Sequence, residues 1–268
     1  KQFITNSAWA DYSIVFTGIN GKYSCLIVEL KSEGVNVGAE EKKMGLKGSS
    51  TTSLSFDNVM VPKKNLLGNI GDAATIALNI LNLGRLKLGF HSLGEAKYSF
   101  DLTIKYCGER KQFGQSINNF DAQKARIAEM ASRIFAVDSF LYNAIAEIDA
   151  NLSKLPKEEL YGLKAIDVIK SFAMEASMVK IAGSELLSMV ADKSVKMHGG
   201  YGFIEEYNVE RVMRDNVIDM IFEGTNDINR LVIFDTITKN IFGGTINWRE
   251  GIEEIERLIK NKQLEFSS

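Results

Sequence analysis

Residues 51–90 read TTSLSFDNVMVPKKNLLGNIGDAATIALNILNLGRLKLGF, and the hydrophobic period changes inside them. Before Pro62, the short runs Ser53–Phe56 and Val59–Val61 are set apart by Asp57-Asn58, the pattern of strands between turns. After it, Ile76, Leu78, Ile80, Leu81, Leu83, Leu86, Leu88 and Phe90 crowd a stretch without proline, which predicts a buried helix. Toward the amino terminus, Ser13–Thr17 and Tyr23–Leu30 read as two more strands. Ile19-Asn20-Gly21-Lys22 joins them with the Asn-Gly pair that favours a tight hairpin turn. Toward the carboxy terminus, helical stretches run from about Phe120 to Asn151 and from Leu163 to His198, with Pro156 in the polar connection, and another begins near Thr225. Ile127, Met130, Ile134, Val137 and Leu141 recur at steps of three and four, the stripe that faces a bundle core. The expected fold class is α+β: a small antiparallel β-domain over 1–68, an up-down four-helix bundle over 69–245, and a peripheral tail helix over 246–268.

Composition narrows the function. In 268 residues, 32 Lys and Arg face 34 Asp and Glu, and a formal charge of -2 offers no global attraction to nucleic acid or an anionic membrane. Any anionic ligand must be held locally. Cys25 and Cys107 form no CxxC pair, which argues against a disulfide framework and for a reducing compartment. Two histidines, His91 and His198, are too few for a histidine-built zinc centre, so no metal is expected. No apolar stretch approaches the roughly 20 residues that span a bilayer, and a soluble protein is expected. Lys-Gln-Phe-Ile-Thr-Asn at the start lacks the features of a secretion signal and reads like the middle of a strand region. The expectation is a chain cut from a longer protein, with a heavier intact gene product.

The chemistry concentrates in Met220-Ile221-Phe222-Glu223-Gly224-Thr225-Asn226-Asp227-Ile228, where one carboxylate follows an apolar run and precedes a glycine and a helix start. Packed among apolar side chains, Glu223 would lose hydration and become a stronger base. A charge placed to favour a helix amino terminus is the alternative.

This segment is the last of six motifs. Before it come Phe3-Ile4-Thr5-Asn6, then Lys43-Met44-Gly45-Leu46-Lys47-Gly48-Ser49 with Leu54–Pro62 and Asn65–Gly68, then Asn82-Leu83-Gly84-Arg85, Arg110-Lys111-Gln112-Phe113-Gly114 and Met197-His198-Gly199-Gly200-Tyr201-Gly202. Their order resembles the acyl-CoA dehydrogenases, most closely the very-long-chain branch, over Lys1 to about Gly244. The resemblance implies that Glu223 removes the α-proton of a fatty acyl-CoA thioester while the β-hydrogen leaves as hydride to FAD, giving a trans-2-enoyl-CoA. Phe3, Ile4 and Thr5 correspond to a Trp-Ile-Thr strand beside the flavin, with phenylalanine in place of tryptophan. Asn82, Leu83, Gly84 and Arg85, with Gly224, fall on the substrate side. Arg110 and Phe113, with Gln123, match a turn that reaches the FAD of a neighbouring subunit, and Gly199 and Gly200 match the glycine turn near its adenine and diphosphate. Thr225, Asn226 and Asp227 approach FAD from a helix start, where they also read as caps. His198 is expected to be a packed side chain and Lys47 to have no role in the site.

The same resemblance implies an electron-transfer flavoprotein as acceptor, a homodimer or homotetramer, and an amino-terminal helical domain that this sequence does not contain. A bacterial cytoplasm fits the composition better than a mitochondrial matrix or inner-membrane face. An acyl-CoA oxidase and a non-catalytic scaffold or assembly subunit on the same fold are the competing readings.

Overall fold

The computed structural model describes residues 1–160 and 163–261. Strands come first: β1 (Ile4–Thr5), β2 (Tyr12–Ile19), β3 (Lys22–Glu29), β4 (Val35–Val37), β5 (Thr51–Thr52), β6 (Leu54–Phe56) and β7 (Leu66–Leu67). Asn20 and Gly21 both take positive φ, 50° and 74°, as a two-residue turn between twisted strands requires, and β2 pairs with β3 from Tyr12↔Glu29 to Ile19↔Lys22. β7 extends that sheet on β3, while β1 pairs with β5 and β4 with β6. Val59–Val61 is a correction, for it forms no strand. Asn58, at φ 52°, turns the chain after β6 and Pro62 lacks a ladder donor, so the segment has extended composition without a partner.

The helical part contains α1 (Ala73–Glu109), α2 (Asp121–Leu152), α3 (Leu163–Ser171), α4 (Ala173–His198), α5 (Asn208–Asp215), α6 (Asn226–Phe242) and α7 (Trp248–Lys260). A two-stranded turn, β8 (Lys111–Gln112) with β9 (Gln115–Ser116), reverses the chain between α1 and α2. Lys97 of α1 meets Asp138 of α2 at 2.8 Å, as antiparallel neighbours after such a turn should. The single helix expected over 163–198 is two. Phe172 leaves helical geometry, φ -98° and ψ 23°, and its side chain packs on the core, so the break is set by packing and not by a glycine or proline. α5 was not anticipated, and tail residues 262–268 lie outside the described part.

α1 and α4 touch along most of their length. Gly183 has no room for a side chain, since a Cβ there would lie 2.4 Å from the Gly89 carbonyl oxygen, and a Cβ on Gly89 would lie 2.6 Å from that of Val179. Ser99 bonds Ser194 in the same seam, 3.0 Å apart. The two helices therefore run in the same direction, with α2 reversed against them, around a core of Leu86, Leu93, Met130, Leu141, Leu187 and Val190. The β-region is tied to this bundle at Gly45, where a Cβ would fall 2.5 Å from the Arg214 carbonyl oxygen, and by the Leu46 N–H donating to the Asp215 carboxylate at 2.6 Å. That close approach accounts for the Gly45 of the Lys-Met-Gly motif. Among the described residues no helix is long and apolar enough to cross a membrane.

Candidate active site

The turn between the 3₁₀ segment Asn216–Met220 and α6 carries Glu223. Glu223 stands at φ 56° and Gly224 at φ 82°. A left-handed glutamate costs about 1–2 kcal/mol and persists only where its surroundings impose it. They do so through the carbonyls of the turn. Arg85 Nε donates to the Glu223 carbonyl at 3.0 Å, and the Lys180 ammonium to that of Gly224 at 3.0 Å. Asn229 Nδ2 reaches the carbonyls of Gly224 and Thr225 at 2.8 and 3.0 Å. Thr225 caps α6 by accepting the Ile228 N–H at 3.3 Å.

The carboxylate lies over Gly84. A Cβ at that position would sit 2.6 Å from Glu223 Oε2, so glycine here makes room for the carboxylate itself. Oε2 is buried and has no hydrogen-bond partner among the described residues. Burial holds the Glu223 carboxyl above the usual carboxylate range, against the opposing pull of Arg85 and Lys180. A strained, half-buried carboxylate with one free oxygen is equipped to accept a proton. The turn also leads into α6, where a negative charge favours the helix start.

Other assigned residues divide between this place and a second one. Arg85 is buried, with Nη1 3.3 Å from Ser177 Oγ, while Asn82 is buried beside it and Leu83 is exposed. Asn226 spends its amide on α4, bonding Lys180, Ser184 and Glu185, whereas Asp227 is exposed. The second place is a cavity of about 580 Å³ lined by Arg110, Phe113, Gln123, Gly199, Gly200 and Tyr201, among others, which joins two of the sequence motifs and Gln123. Gly199 (φ 61°) and Gly200 have open space where a Cβ would be, and Arg110 lies over the Tyr201 ring at 5.2 Å. Exposed backbone with a guanidinium suits a diphosphate. Along α1, Arg110 is 26 residues beyond Gly84, about 39 Å at the helical rise. Phe3, Ile4 and Thr5 line neither this cavity nor the Glu223 turn; Ile4 and Thr5 pair with Thr52 and Thr51, and Phe3 is exposed at φ 56°.

His198 is buried, stacks on Tyr106 at 4.2 Å, and places Nδ1 2.7 Å from the Ser194 carbonyl. Burial pushes its imidazole below the ordinary value, in keeping with a packed neutral side chain. Lys180, Ser177 and Asn229 were not foreseen from the sequence. A lysine on the apolar face of α4, one turn before Gly183 and Ser184, was the available signal for Lys180, because a buried ammonium must find partners.

Comparison with known proteins bears on this arrangement. The family model for the acyl-CoA dehydrogenase C-terminal domain matches residues 74–238, and that for the acyl-CoA dehydrogenase middle domain matches residues 1–59. A probable acyl-CoA dehydrogenase of Bacillus subtilis (strain 168) is 43% identical over 258 residues, covering 96% of this chain and 43% of that protein. A caffeyl-CoA reductase-Etf complex subunit of Acetobacterium woodii is 37% identical over 245 residues, covering 89% of this chain and 60% of that one. A crystal structure of an acyl-CoA dehydrogenase complexed with FAD from Bacillus anthracis superposes with a TM-score of 0.89 at 43% identity, over 92% of this chain and 44% of that one. The chain thus spans less than half of two of these relatives and three fifths of the third. With two adjoining family models matched in order, one of them across most of the chain, this chain belongs to the acyl-CoA dehydrogenase family.

Proposed function

We propose that the protein oxidises a fatty acyl-CoA to its trans-2-enoyl-CoA, with Glu223 as the base. The carrying observation is the Glu223 carboxylate, held in a left-handed turn over Gly84 with Oε2 unbonded. Glu223 takes the α-proton onto that oxygen. Arg85, bonded to the residue's own carbonyl, keeps the turn in place while the charge on the carboxylate is lost.

FAD, when bound, supplies the acceptor for the β-hydride, so that proton and hydride together leave the Cα–Cβ double bond. Some of the residues suited to hold it line the Arg110 cavity, whereas Phe3, Ile4 and Thr5 lie at neither of the two places described. Arg110, Gln123, Gly199 and Gly200 offer charge-assisted and backbone contacts to its diphosphate and adenosine. Phe3, Ile4, Thr5 and Thr225 fit the flavin side on motif likeness, and Asn82, Leu83, Gly84, Arg85 and Gly224 the acyl-thioester side. The roughly 39 Å between Arg110 and Gly84 along α1 supports a homo-oligomer in which one copy's Arg110 cavity serves another copy's cofactor. Preference for long acyl chains rests on branch likeness, and an electron-transfer flavoprotein as acceptor on the Etf-complex relative. The bacterial relatives favour a bacterial cytoplasm.

The test is an anaerobic visible spectrum of the full-length protein with palmitoyl-CoA. Flavin should bleach in the wild type and stay oxidised in Glu223→Gln, which retains its flavin; bleaching by that variant would sink the assignment of the base. Peroxide formed on admitting air at the rate of bleaching would move the reading to an oxidase.

A further inference from the structure

We propose that Lys180 is a positioning residue for Glu223: one ammonium, donated at once to the Gly224 carbonyl and the Asn226 side chain, fixes the turn that carries the base and supplies positive charge that favours its carboxylate. The inference rests on the reading of Glu223 as that base. Lys180 is a fully buried lysine about two turns into α4, where leucine or alanine would fill the space without desolvating a charge. Its partners lie on either side of Thr225, the cap of α6. One side chain thus clamps the turn and the helix that follows to α4.

Held this way, the ammonium also belongs to a charged cluster. Arg85 on α1 and Glu223 on the turn face it, as do Asp219 in the preceding 3₁₀ segment and Glu185 one turn along its own helix. Asp219 is itself buried and bonded to Ser92 Oγ at 2.8 Å. Burial lowers the Lys180 ammonium to about 8, partly offset by Asp219, so Lys180 is charged at neutral pH and loses its proton within an accessible range. When that proton leaves, Glu223 loses one of the two cations that draw it toward ionisation.

The experiment is a ¹³C NMR titration of the Glu223 side-chain carboxyl in the full-length protein, the signal being assigned by its loss in Glu223→Gln. In the wild type it should move twice, once as Glu223 ionises and again near pH 8 as Lys180 does. Lys180→Met should abolish the upper step, move the lower one to higher pH, and speed amide exchange across 222–226 on the order of tenfold as two hydrogen bonds are lost. A single step in the wild type overturns the proposal whether or not the variant folds, and so does a lower step that Lys180→Met leaves unmoved. Neither readout uses acyl-CoA, so failure of every thioester to bleach the flavin would count against the enzymatic reading alone.

Discussion

Gly84→Ala separates the needs of the helix from those of the site. Within α1, alanine in place of glycine favours the folded state by up to about 1 kcal/mol, because the unfolded chain loses freedom and the helix gains a better former. The added Cβ would lie 2.6 Å from Glu223 Oε2, 2.8 Å from Cδ and 3.1 Å from Oε1. To reach an ordinary contact near 3.4 Å, the carboxylate must move by roughly 0.8 Å. What it meets is the far end of a flexible side chain, so the strain relaxes cheaply and stability should be unchanged or slightly raised. Catalysis should suffer instead. A displacement approaching 1 Å costs on the order of a hundredfold in rate where reacting atoms must be aligned. Stopped-flow bleaching of the flavin by palmitoyl-CoA should therefore slow by about ten- to a hundredfold in a protein that melts no earlier than wild type. Full-rate bleaching would refute the claim that Gly84 exists to seat the base, and an early melt would mean that the space is structural.

Gly183→Ala should give the opposite pattern. Its Cβ meets the backbone of Gly89, 2.4 Å from the carbonyl oxygen, and two packed helices must separate to admit it. A loss of about 1–3 kcal/mol in denaturant unfolding is expected; undiminished stability would show that the α1–α4 seam is looser than its geometry. The pH dependence follows from Glu223. Its folded pKa lies above the ordinary value through burial, so bleaching should fall as pH drops through that raised value, and Gln at this position removes the limb with the activity. The linked stability has the reverse sense. Whatever Glu223 contributes is present below its unfolded pKa and lost as pH rises through the folded one, so Glu223→Gln should melt no earlier than wild type at neutral pH.

The elements of this protein were legible wherever a local signal existed. Asn20-Gly21 announced the β2–β3 hairpin because only residues tolerant of positive φ close so short a turn. The stripe from Ile127 to Leu141 gave α2, and the apolar run from Ile76 to Phe90 gave the first half of α1. Val59–Val61 misled because extended composition does not supply a partner strand, and the break at Phe172 was hidden because tertiary packing makes it without a breaker residue.

For the site, the sequence by itself determined the kinds of residue present and their order along the chain. Glu223 before glycine and a helix start marked the proposed base, and Arg110, Gln123, Gly199 and Gly200 are residue types suited to phosphate that the fold gathers into one cavity. Tertiary structure alone decided how that carboxylate is held. Gly84 and Glu223 are 139 positions apart, and nothing local to either says that the missing side chain of one is the space taken by the carboxylate of the other. Lys180 reads as an ordinary helical lysine until the crossing of α1 and α4, closed by Gly89 and Gly183, buries it against the turn. The reason is physical: composition and period fix which face of each helix turns inward, whereas the desolvation and hydrogen bonds that tune a buried charge come from neighbours that meet only when the helices pack.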